Sequence, residues 1–444
     1  MWEKIMNKKV VLIEPPAPFA SEPNMNPPLG LAYIGAYLKS KGITNIQAVD
    51  LTIPTKDYFD IPDDGDVYAV SGLTPQYRYM VEICDWIRQN NPKATIVVGG
   101  HHITTCPNDK PTSADYAVKG DGEEALLKII QEESIDEQAI HRVTNINTLP
   151  FPDRDIFGLG NYVRTLNGEK AIHIITSRGC PFNCSFCDRE SVGRKVRYRD
   201  IDLVLGEIAY VRVKYGIRAF VFYDDIFTLD KKRVLEFCKW FKNMNIIWRC
   251  WSRADTISKE LLQVMKDSGL VSITMGIESG DDIVLKAVDK GLTREKNRAA
   301  LRWCKEVGVP VRCSLMFGNP GESWSTVQNT IDMIKECQPE EWNLAVLTPV
   351  PGSAIWNHPE RFGIEFDREW VRRNQYNMTD RFSDSGIGSA WYKFIGKGTE
   401  DFDNMLKYFV SELEKVCPRA SIQDTIQGIH VDKIKRKALS GSCC

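Results

Sequence analysis

Short apolar runs alternate with amphipathic stretches over the first 130 residues of the chain. The runs KVVLIE, VYAVSG and TIVVGG read as strands, whereas LGLAYIGAYLKSKG and MVEICDWIRQN have helical spacing. Strands of a parallel sheet are buried on both faces and therefore form continuous apolar runs of this kind. The pattern predicts an α/β fold that begins with a doubly wound, Rossmann-like domain over residues 1–140.

A second alternating series follows a stretch, residues 141–167, that contains INTLPFPDRDIFGLGNY and is predicted to be a linker. Its six apolar runs are AIHIITS, AFVFYDD, IIWRCW, VSITMGIES, VRCSLMFG and WNLAVLTPV. Six strand–helix units are too few for the usual eight-stranded closure. Residues 168–355 are therefore predicted to form a partial (βα)6 TIM-type barrel with an open side, and residues 356–444 a small helical cap.

Composition and charge narrow the possible partners. Hydrophobic residues make up 43% of the chain, charged residues 26%, and the net charge is −2. Such a chain has no broad positive field to attract nucleic acid or an anionic membrane, so we expect a small-molecule substrate. The N-terminus MWEKIMNKKVVLIEPP has no signal-peptide pattern and no later run is long enough to span a membrane, which predicts a cytoplasmic protein.

Three of the 13 cysteines lie close together, in SRGCPFNCSFCDRE, after the first strand of the predicted barrel. Cys180, Cys184 and Cys187 could hold three corners of a four-iron four-sulfur cluster and leave the fourth iron open, because thiolates are natural ligands of such clusters. A zinc loop is the alternative, but structural zinc needs a fourth Cys or His nearby. The other cysteines are scattered along helical and strand patterns and are expected to pack as small apolar residues.

This CxxxCxxC motif, with Phe186 before its last cysteine, resembles the radical S-adenosylmethionine superfamily. The resemblance implies that the amino and carboxylate groups of S-adenosylmethionine bind the open iron. It also implies that one electron, supplied by an external donor, breaks a carbon–sulfur bond to give a 5′-deoxyadenosyl radical.

The resemblance extends to the ends of the later barrel strands, where active sites of such barrels gather. An arginine suits two-point capture of a carboxylate, and a carboxylate can accept hydrogen bonds from both ribose hydroxyls. Any one of these residues could instead cap the next helix. The residues implied are Asp224, with Tyr223 and Asp225, for the amino group of methionine; Ser252 and Arg253 for its carboxylate; Glu278 and Ser279 for the ribose; and Phe317 and Gly318 for the adenine.

The N-terminal segments PPLGLAYIGAYL, VSGLT, VVGGHHIT and VKGDGEE resemble, in order, the cobalamin-binding domain of one branch of radical S-adenosylmethionine enzymes. The whole resemblance covers residues 8–350. Ligands of doubly wound sheets bind beyond the carboxyl ends of the strands, where glycine permits close approach. The cobalamin contacts implied are Leu29, Gly30, Ser71, Thr74, Gln76, Tyr77, Gly99, Gly100, His101, His102, Gly120, Gly122 and Glu123.

One departure from the cobalamin pattern concerns the cobalt ligand. Classical cobalamin domains carry Asp-x-His-x-x-Gly, whereas the first loop here is EPPAPFASEPNMNPP and has no histidine. His101 and His102 lie at another strand end, where contact with corrin side chains is expected more than cobalt ligation. We therefore expect base-off cobalamin without a histidine ligand, its lower face covered from the Thr74–Arg78 segment, with Gln76 and Tyr77 as candidates.

The two resemblances together predict a methylase that transfers the methyl group of methylcobalamin to a substrate carbon radical. A cobalamin-dependent cyclase or ring-rearranging enzyme is the main alternative. A methylthiotransferase would need a second cluster, yet only Cys84 and Cys106 precede residue 150. A non-catalytic corrinoid or iron–sulfur carrier is disfavoured by Asp224, Arg253 and Glu278. The substrate pocket is predicted to include aromatic residues of the C-terminal segment: Trp356, Trp370, Tyr376, Trp391 and Tyr392.

Overall fold

The structure is a computed structural model that describes residues 5–18, 20, 22–369, 393–394 and 399–417. It divides into two compact units: the first holds the described residues up to Val163 together with Glu190–Val192, and the second holds the rest. Four residues discussed above lie outside the described ranges, namely Trp370, Tyr376, Trp391 and Tyr392. The terminal Cys443 and Cys444, for which the sequence predicts a frayed chain end, lie outside them too.

The first unit is built on a five-stranded parallel sheet of order β2-β1-β3-β4-β5. Its strands are β1 (Val10–Glu14), β2 (Ile46–Asp50), β3 (Val67–Ser71), β4 (Thr95–Gly99) and β5 (Tyr116–Ala117), and a separate pair is formed by β6 (Lys119–Gly120) and β7 (Ile140–His141). The helices are α1 (Leu29–Ser40), α2 (Tyr77–Asn90), α3 (His101–Thr105) and α4 (Glu123–Ile130). The predicted doubly wound sheet is confirmed.

Both faces of this sheet are covered by apolar side chains, as the continuous apolar runs require. Val10 and Leu12 belong to the cluster on one face, and Val11 and Ile13 belong to the cluster on the other. Phe157 of the 141–163 segment joins the first of these clusters. That segment therefore packs onto the first unit through short 3₁₀ turns.

The second unit contains a seven-stranded sheet of order β16-β15-β14-β13-β12-β9-β8, in which only the short edge strand β8 is antiparallel. Within the described ranges the two ends of the sheet do not pair, so the predicted partial barrel is confirmed. The strands are β8 (Thr165–Leu166), β9 (Glu169–Ile174), β12 (Ala219–Phe222), β13 (Ile247–Ser252), β14 (Leu270–Glu278), β15 (Val311–Phe317) and β16 (Glu341–Val346).

Helices and two small ribbons complete the second unit. The ribbons pair β10 (Ser177–Arg178) with β11 (Arg197–Tyr198) and β17 (Ile364–Glu365) with β18 (Lys393–Phe394). The helices are α5 (Ile201–Tyr215), α6 (Lys231–Met244), α7 (Lys259–Asp267), α8 (Asp282–Ala287), α9 (Arg294–Val307), α10 (Trp324–Cys337), α11 (Ala354–Asn357) and α12 (Thr399–Glu414). Among the helices described, none has the length and apolar character to cross a membrane.

The two faces of the barrel sheet differ in character. On the helix-covered face, Phe222 and Trp248 pack against aromatic side chains of α6. On the opposite face, Arg249 donates to the Thr274 hydroxyl at 2.7 Å, and Ser314 donates to Asn343 at 2.8 Å. A polar inner face of this kind suits a barrel that opens to a polar ligand, whereas a closed barrel fills its interior with branched apolar residues.

Candidate active site

The three-cysteine motif occupies a loop that runs between β9 and α5 and is closed at its base by the β10–β11 ribbon. Backbone hydrogen bonds shape it: Cys180 donates to Gly193 at 3.0 Å, and Cys187 donates to Cys184 at 3.2 Å. Gly179 has φ +111°, and a Cβ there would lie 2.5 Å from the Lys195 carbonyl oxygen. Glycine is therefore required where the loop turns beside its own return strand.

The three thiols of the loop act on one another electrostatically. Loss of solvation, followed by the nearby thiols of Cys184 and Cys180, raises the pKa of Cys187 to about 12. Loss of solvation also raises the pKa of Cys180. Within the described part of the chain, however, the three sulfur atoms do not form a group tight enough to share one metal ion. Thiols that are too far apart to bind one zinc ion can still bind three different irons of a cluster.

The two acidic residues after β12 have different surroundings. Asp224 is buried and accepts hydrogen bonds from the Thr176 backbone at 2.6 Å and from the Ser177 hydroxyl at 2.7 Å. It therefore anchors the start of the cysteine loop. Asp225 is exposed to solvent. Surrounding protein atoms that weaken its solvation, and the Asp224 carboxylate, raise the pKa of Asp225 to about 6. The charge of Asp225 also acts on the thiols of Cys180 and Cys187.

Asp225, and not Asp224, is thus the carboxylate of this strand end that a ligand can reach beside the thiols. The amino-group contact expected of Asp224 stays a prediction, and the oxygens of Asp224 accept hydrogen bonds from the cysteine loop. A carboxylate that keeps its exposure can instead pair with an ammonium group.

Arg253, after β13, lies directly against the cysteine loop. Its Nη1 is 3.7 Å from the Sγ of Cys184, and its guanidinium carbon is 3.7 Å from the centre of the Phe182 ring. Nη2 donates to the Lys290 carbonyl oxygen at 2.7 Å, and Nε donates to Asp255 at 3.0 Å. The structure therefore places this positive charge next to a predicted cluster ligand, where a carboxylate group could meet it.

Glu278 ends β14 at a break in the strand register and has φ +61°. Its Oε1 accepts a hydrogen bond from the Nζ of Lys290 at 2.8 Å. The same ammonium group lies 5.8 Å from the centre of the Phe186 ring, within the cysteine loop. Lys290 thus connects the predicted ribose carboxylate with the predicted cluster loop. A non-glycine residue in this backbone region is uncommon and often marks a functional site.

The sequence prediction missed Lys290. It follows α8 in VDKGL, where a lone lysine beside a glycine is a common surface turn. Its side chain is nevertheless only 6% exposed. No local sequence signal distinguishes this lysine from an exposed one, because its partner Glu278 is on another element.

Two serines that are predicted to contact S-adenosylmethionine have hydroxyl groups that lie against other residues of the protein. Ser252 is buried and its Oγ lies 2.5 Å from the Thr228 hydroxyl. Ser279 is buried and its Oγ lies 3.2 Å from the hydroxyl of Thr330 on α10. The hydroxyls hold neighbouring elements together, and the ligand contacts expected from these serines stay a prediction.

Phe317 and Gly318, which are predicted to contact the adenine, also make contacts within the protein at the end of β15. The Phe317 ring is fully buried, with its centre 4.8 Å from that of Phe402 on α12, so it cannot stack on an adenine. The Gly318 N–H donates to the Glu322 carboxylate, which also accepts from the Asn319 N–H at 3.1 Å. Burial raises the pKa of Glu322 to about 7. This turn presents backbone, not the phenylalanine side chain, at the strand end.

Two of the predicted cobalamin contacts in the first unit are buried. Gln76 is 1% exposed; its amide donates to Glu14 at 2.9 Å and to the Pro15 carbonyl at 2.8 Å, so it joins the ends of β1 and β3. His102 is fully buried, with its Nδ1 3.3 Å from the Thr74 hydroxyl and its ring centre 4.3 Å from that of Tyr77. Gln76 and His102 therefore stabilise the fold of this sheet edge, and their assignment as cobalamin contacts stays a prediction.

The glycines of the first unit have two different roles. A Cβ on Gly100 would lie 2.7 Å from the Ser71 hydroxyl, and one on Gly120 would lie 2.2 Å from the His141 carbonyl oxygen. At these positions the space is taken by the protein itself. Gly30 differs, because it is exposed and, among the described residues other than its own helix backbone and chain neighbours, no atom lies within 4 Å of its Cβ position.

The remaining predicted contacts also lie at or near the carboxyl edge of the sheet. They are Leu29, buried at the start of α1; Ser71 and Gly99, at the ends of β3 and β4; His101, half-buried at the start of α3; and Gly122 and Glu123, at the start of α4, with Glu123 buried. The half-buried members keep the exposure that a contact with a ligand requires.

Comparison with known protein families assigns both units. The model of the B12 binding domain matches residues 19–130, and that of the Radical SAM superfamily matches residues 174–334. The chain therefore combines a B12 binding domain with a Radical SAM domain. The family resemblance predicted from the cysteine motif and the strand-end segments is thereby confirmed.

Relatives of this family cover most of the chain. An uncharacterized methyltransferase of Pyrococcus horikoshii is 28% identical over 393 residues, which are 82% of this chain and 85% of that protein. The anaerobic magnesium-protoporphyrin IX monomethyl ester cyclase of Rubrivivax gelatinosus is 25% identical over 74% of this chain and 66% of its own length. The radical S-adenosylmethionine methyltransferase TsrM of Kitasatospora setae shares the fold, with a TM-score of 0.66, 16% identity and coverage of 95% and 92% of the two chains.

Proposed function

We propose that this protein is a methylase that moves a methyl group from methylcobalamin to an unactivated carbon of a small molecule. The observation that carries the proposal is the combination, in one chain, of a B12 binding domain with a radical domain whose cysteine loop lies beside Asp225 and Arg253 and is linked through Lys290 to Glu278. A carrier protein has no use for such a set of charged groups.

When bound, the iron–sulfur cluster and S-adenosylmethionine would supply a radical able to remove a substrate hydrogen atom, and cobalamin would supply the methyl group. The side chains have separate tasks. Cys180, Cys184 and Cys187 hold the cluster as thiolates. Arg253 places a positive charge beside Cys184 that suits the methionine carboxylate, and Asp225 offers an exposed carboxylate to the ammonium group.

Glu278 has the chemistry to accept hydrogen bonds from the ribose hydroxyls, and Lys290 fixes the orientation of its carboxylate. Because Lys290 touches Glu278 and not the expected ligand position, it is a positioning residue. The Gly318–Glu322 turn offers backbone groups at the end of β15, where the adenine is expected.

The cobalamin is proposed to be bound base-off, with no histidine on cobalt. Two observations support this: the loop after β1 contains no histidine, and His102 is buried and held by Thr74. The chain also needs an external one-electron donor, which the family resemblance implies. The cytoplasmic location stays a prediction.

A cyclisation or rearrangement is the second candidate, favoured by the similarity to the cyclase of Rubrivivax gelatinosus. The products separate the two reactions. Reconstituted enzyme, methylcobalamin and a reductant are incubated without oxygen in a substrate-containing cell extract with trideuteromethyl-labelled S-adenosylmethionine. Methylation yields equal S-adenosylhomocysteine and 5′-deoxyadenosine and a product that carries the label. Formation of 5′-deoxyadenosine alone would establish rearrangement, and unchanged activity of Cys184→Ala would reject the radical assignment.

A further inference from the structure

The order of the first sheet reverses between β1 and β3, so that their helices leave on opposite faces. In open α/β sheets a ligand binds beyond the carboxyl ends of the strands at such a point. β1 ends at Glu14 and β3 ends at Ser71. The segment Gly72–Tyr77, directly after β3, therefore borders the place where a planar cofactor of the first unit would lie.

The polar side chains of this segment contact the protein, and the ring centre of Tyr77 lies 4.3 Å from that of the buried His102. Gln76 is 1% exposed and holds the ends of β1 and β3 together through Glu14 and Pro15. Thr74 is 7% exposed, and its hydroxyl lies beside the buried ring of His102. Neither side chain can turn outward without leaving a buried hydrogen-bonding group without its partner, which is costly.

Leu73 is the exception, because 48% of its surface is exposed. Its backbone is nevertheless fixed: the Leu73 N–H donates to the Oε1 of Gln76 at 2.8 Å. The preceding Gly72 is tightly packed, since a Cβ there would lie 3.1 Å from Met80 and 3.5 Å from Pro15. An apolar side chain is therefore presented to the outside by a backbone that has no freedom to withdraw it.

We propose that Leu73 lies against the cobalt on the lower face of the corrin, so that cobalt has a hydrocarbon neighbour there and no protein ligand. This inference rests on the proposed cobalamin binding and names the side chain that covers that face. It replaces the sequence-based candidates Gln76 and Tyr77. A donor atom at that position would stabilise the higher oxidation states of cobalt, whereas a leucine stabilises none of them and therefore favours the most reduced state, which carries no axial ligand.

Electron paramagnetic resonance of bound cob(II)alamin tests the assignment without any turnover. The expected spectrum of the native protein shows no coupling to an axial nitrogen. Leu73→His brings an imidazole to the same place, and its spectrum is expected to show the triplet splitting of one axial ¹⁴N together with a more negative Co(II)/Co(I) midpoint potential. Leu73→Ile, which places no donor atom there, should keep the native spectrum.

The matched control is Phe59→His, at a position in the first unit that is 89% exposed and follows β2, away from the β1–β3 reversal. It should leave the spectrum and the potential unchanged. Native protein that already shows an axial nitrogen would overturn the inference. The same conclusion follows if Leu73→His binds cob(II)alamin with the native spectrum.

Affinity for cob(II)alamin provides a second measurement if Leu73→His fails to bind the cofactor. Covering the exposed half of a leucine contributes enough that Leu73→Ala is expected to bind about tenfold more weakly, while Phe59→Ala binds as the native protein does. If Leu73→Ala and Phe59→Ala bind cob(II)alamin with equal affinity, the role of Leu73 is refuted while the cobalamin proposal stands. Native protein that binds no cob(II)alamin would refute the cobalamin proposal itself.

Discussion

Glu14 makes the stability of the first unit depend on pH. It ends β1 and is the register partner of Asp50 at the end of β2, so two carboxyl groups meet at adjacent strand ends. Burial raises the pKa of Asp50, although the hydrogen bonds that it accepts from the Thr52 hydroxyl at 2.6 Å and from the Tyr162 hydroxyl at 2.6 Å favour its charged form. Glu14 accepts from the Gln76 amide. Burial, then the charge of Asp50, raises the pKa of Glu14 from 4.5 to about 8.

A carboxyl group with a raised pKa in the folded state stabilises the protein below its unfolded pKa, and that contribution is lost as the pH rises through the folded pKa. Between pH 5 and pH 8, a pKa of about 8 in place of 4.5 corresponds to a loss of about 3 kcal/mol in the free energy of unfolding. Glu14→Gln keeps the acceptor for the Gln76 amide and cannot ionise. The variant should therefore gain about 3 kcal/mol relative to the native protein over this pH range.

The assay is hydrogen exchange of β1 and β3 peptides during urea titration of the apoprotein, which reports on the first unit separately. The difference in unfolding free energy between Glu14→Gln and native protein is measured at pH 5, 6, 7 and 8. Glu124→Gln, exposed on α4, is the control and should run parallel to the native protein. If the Glu14→Gln difference is the same at pH 5 and pH 8, then Glu14 is not a buried neutral acid and the reasoning fails.

Three further predictions concern the second unit. Lys290→Met should weaken S-adenosylmethionine binding about tenfold in equilibrium dialysis while iron content stays unchanged, and Lys290→Arg should restore part of it. Cys187→Ala should lose the absorption and iron of the cluster, whereas Cys238→Ala, a buried cysteine of α6, should keep both. Glu207→Gln removes the carboxylate that forms a buried ion pair with Arg199 and should cost about 3 kcal/mol in urea unfolding. Glu169→Gln, whose partner Arg218 is exposed, should cost less than about 1 kcal/mol.

The strand–helix alternation was sufficient to predict both sheets, because each buried parallel strand is a continuous apolar run in the sequence. Val67–Ser71 and Thr95–Gly99 are examples that the pattern located to within a residue or two. The cysteine loop could also be predicted, since all three thiols lie within eight consecutive residues. Both signals come from residues that are close together in the chain, so a single sequence is sufficient to detect them.

Long-range pairing is what the sequence did not reveal. Lys290 meets Glu278 across 12 positions of chain, and Gln76 meets Glu14 across 62. The residue types were visible, but nothing nearby in the sequence indicated that these side chains would be buried and already paired. For the same reason Gly100 was predicted to leave space for a ligand, although Ser71 at the end of β3 occupies that space.

At these strand ends one residue stabilises the fold while its neighbour faces the expected ligand position, because successive side chains of an extended segment point to opposite sides. Asp224 is buried and holds the cysteine loop, while the adjacent Asp225 is exposed. Ser252 is held by Thr228, while Arg253 reaches Cys184. A motif that names a pair of residues therefore identifies the strand end, and burial decides which member meets the ligand. The same reasoning separates Leu73 from Thr74 in the first unit, where the exposed residue is apolar and motif-based reading passes over it.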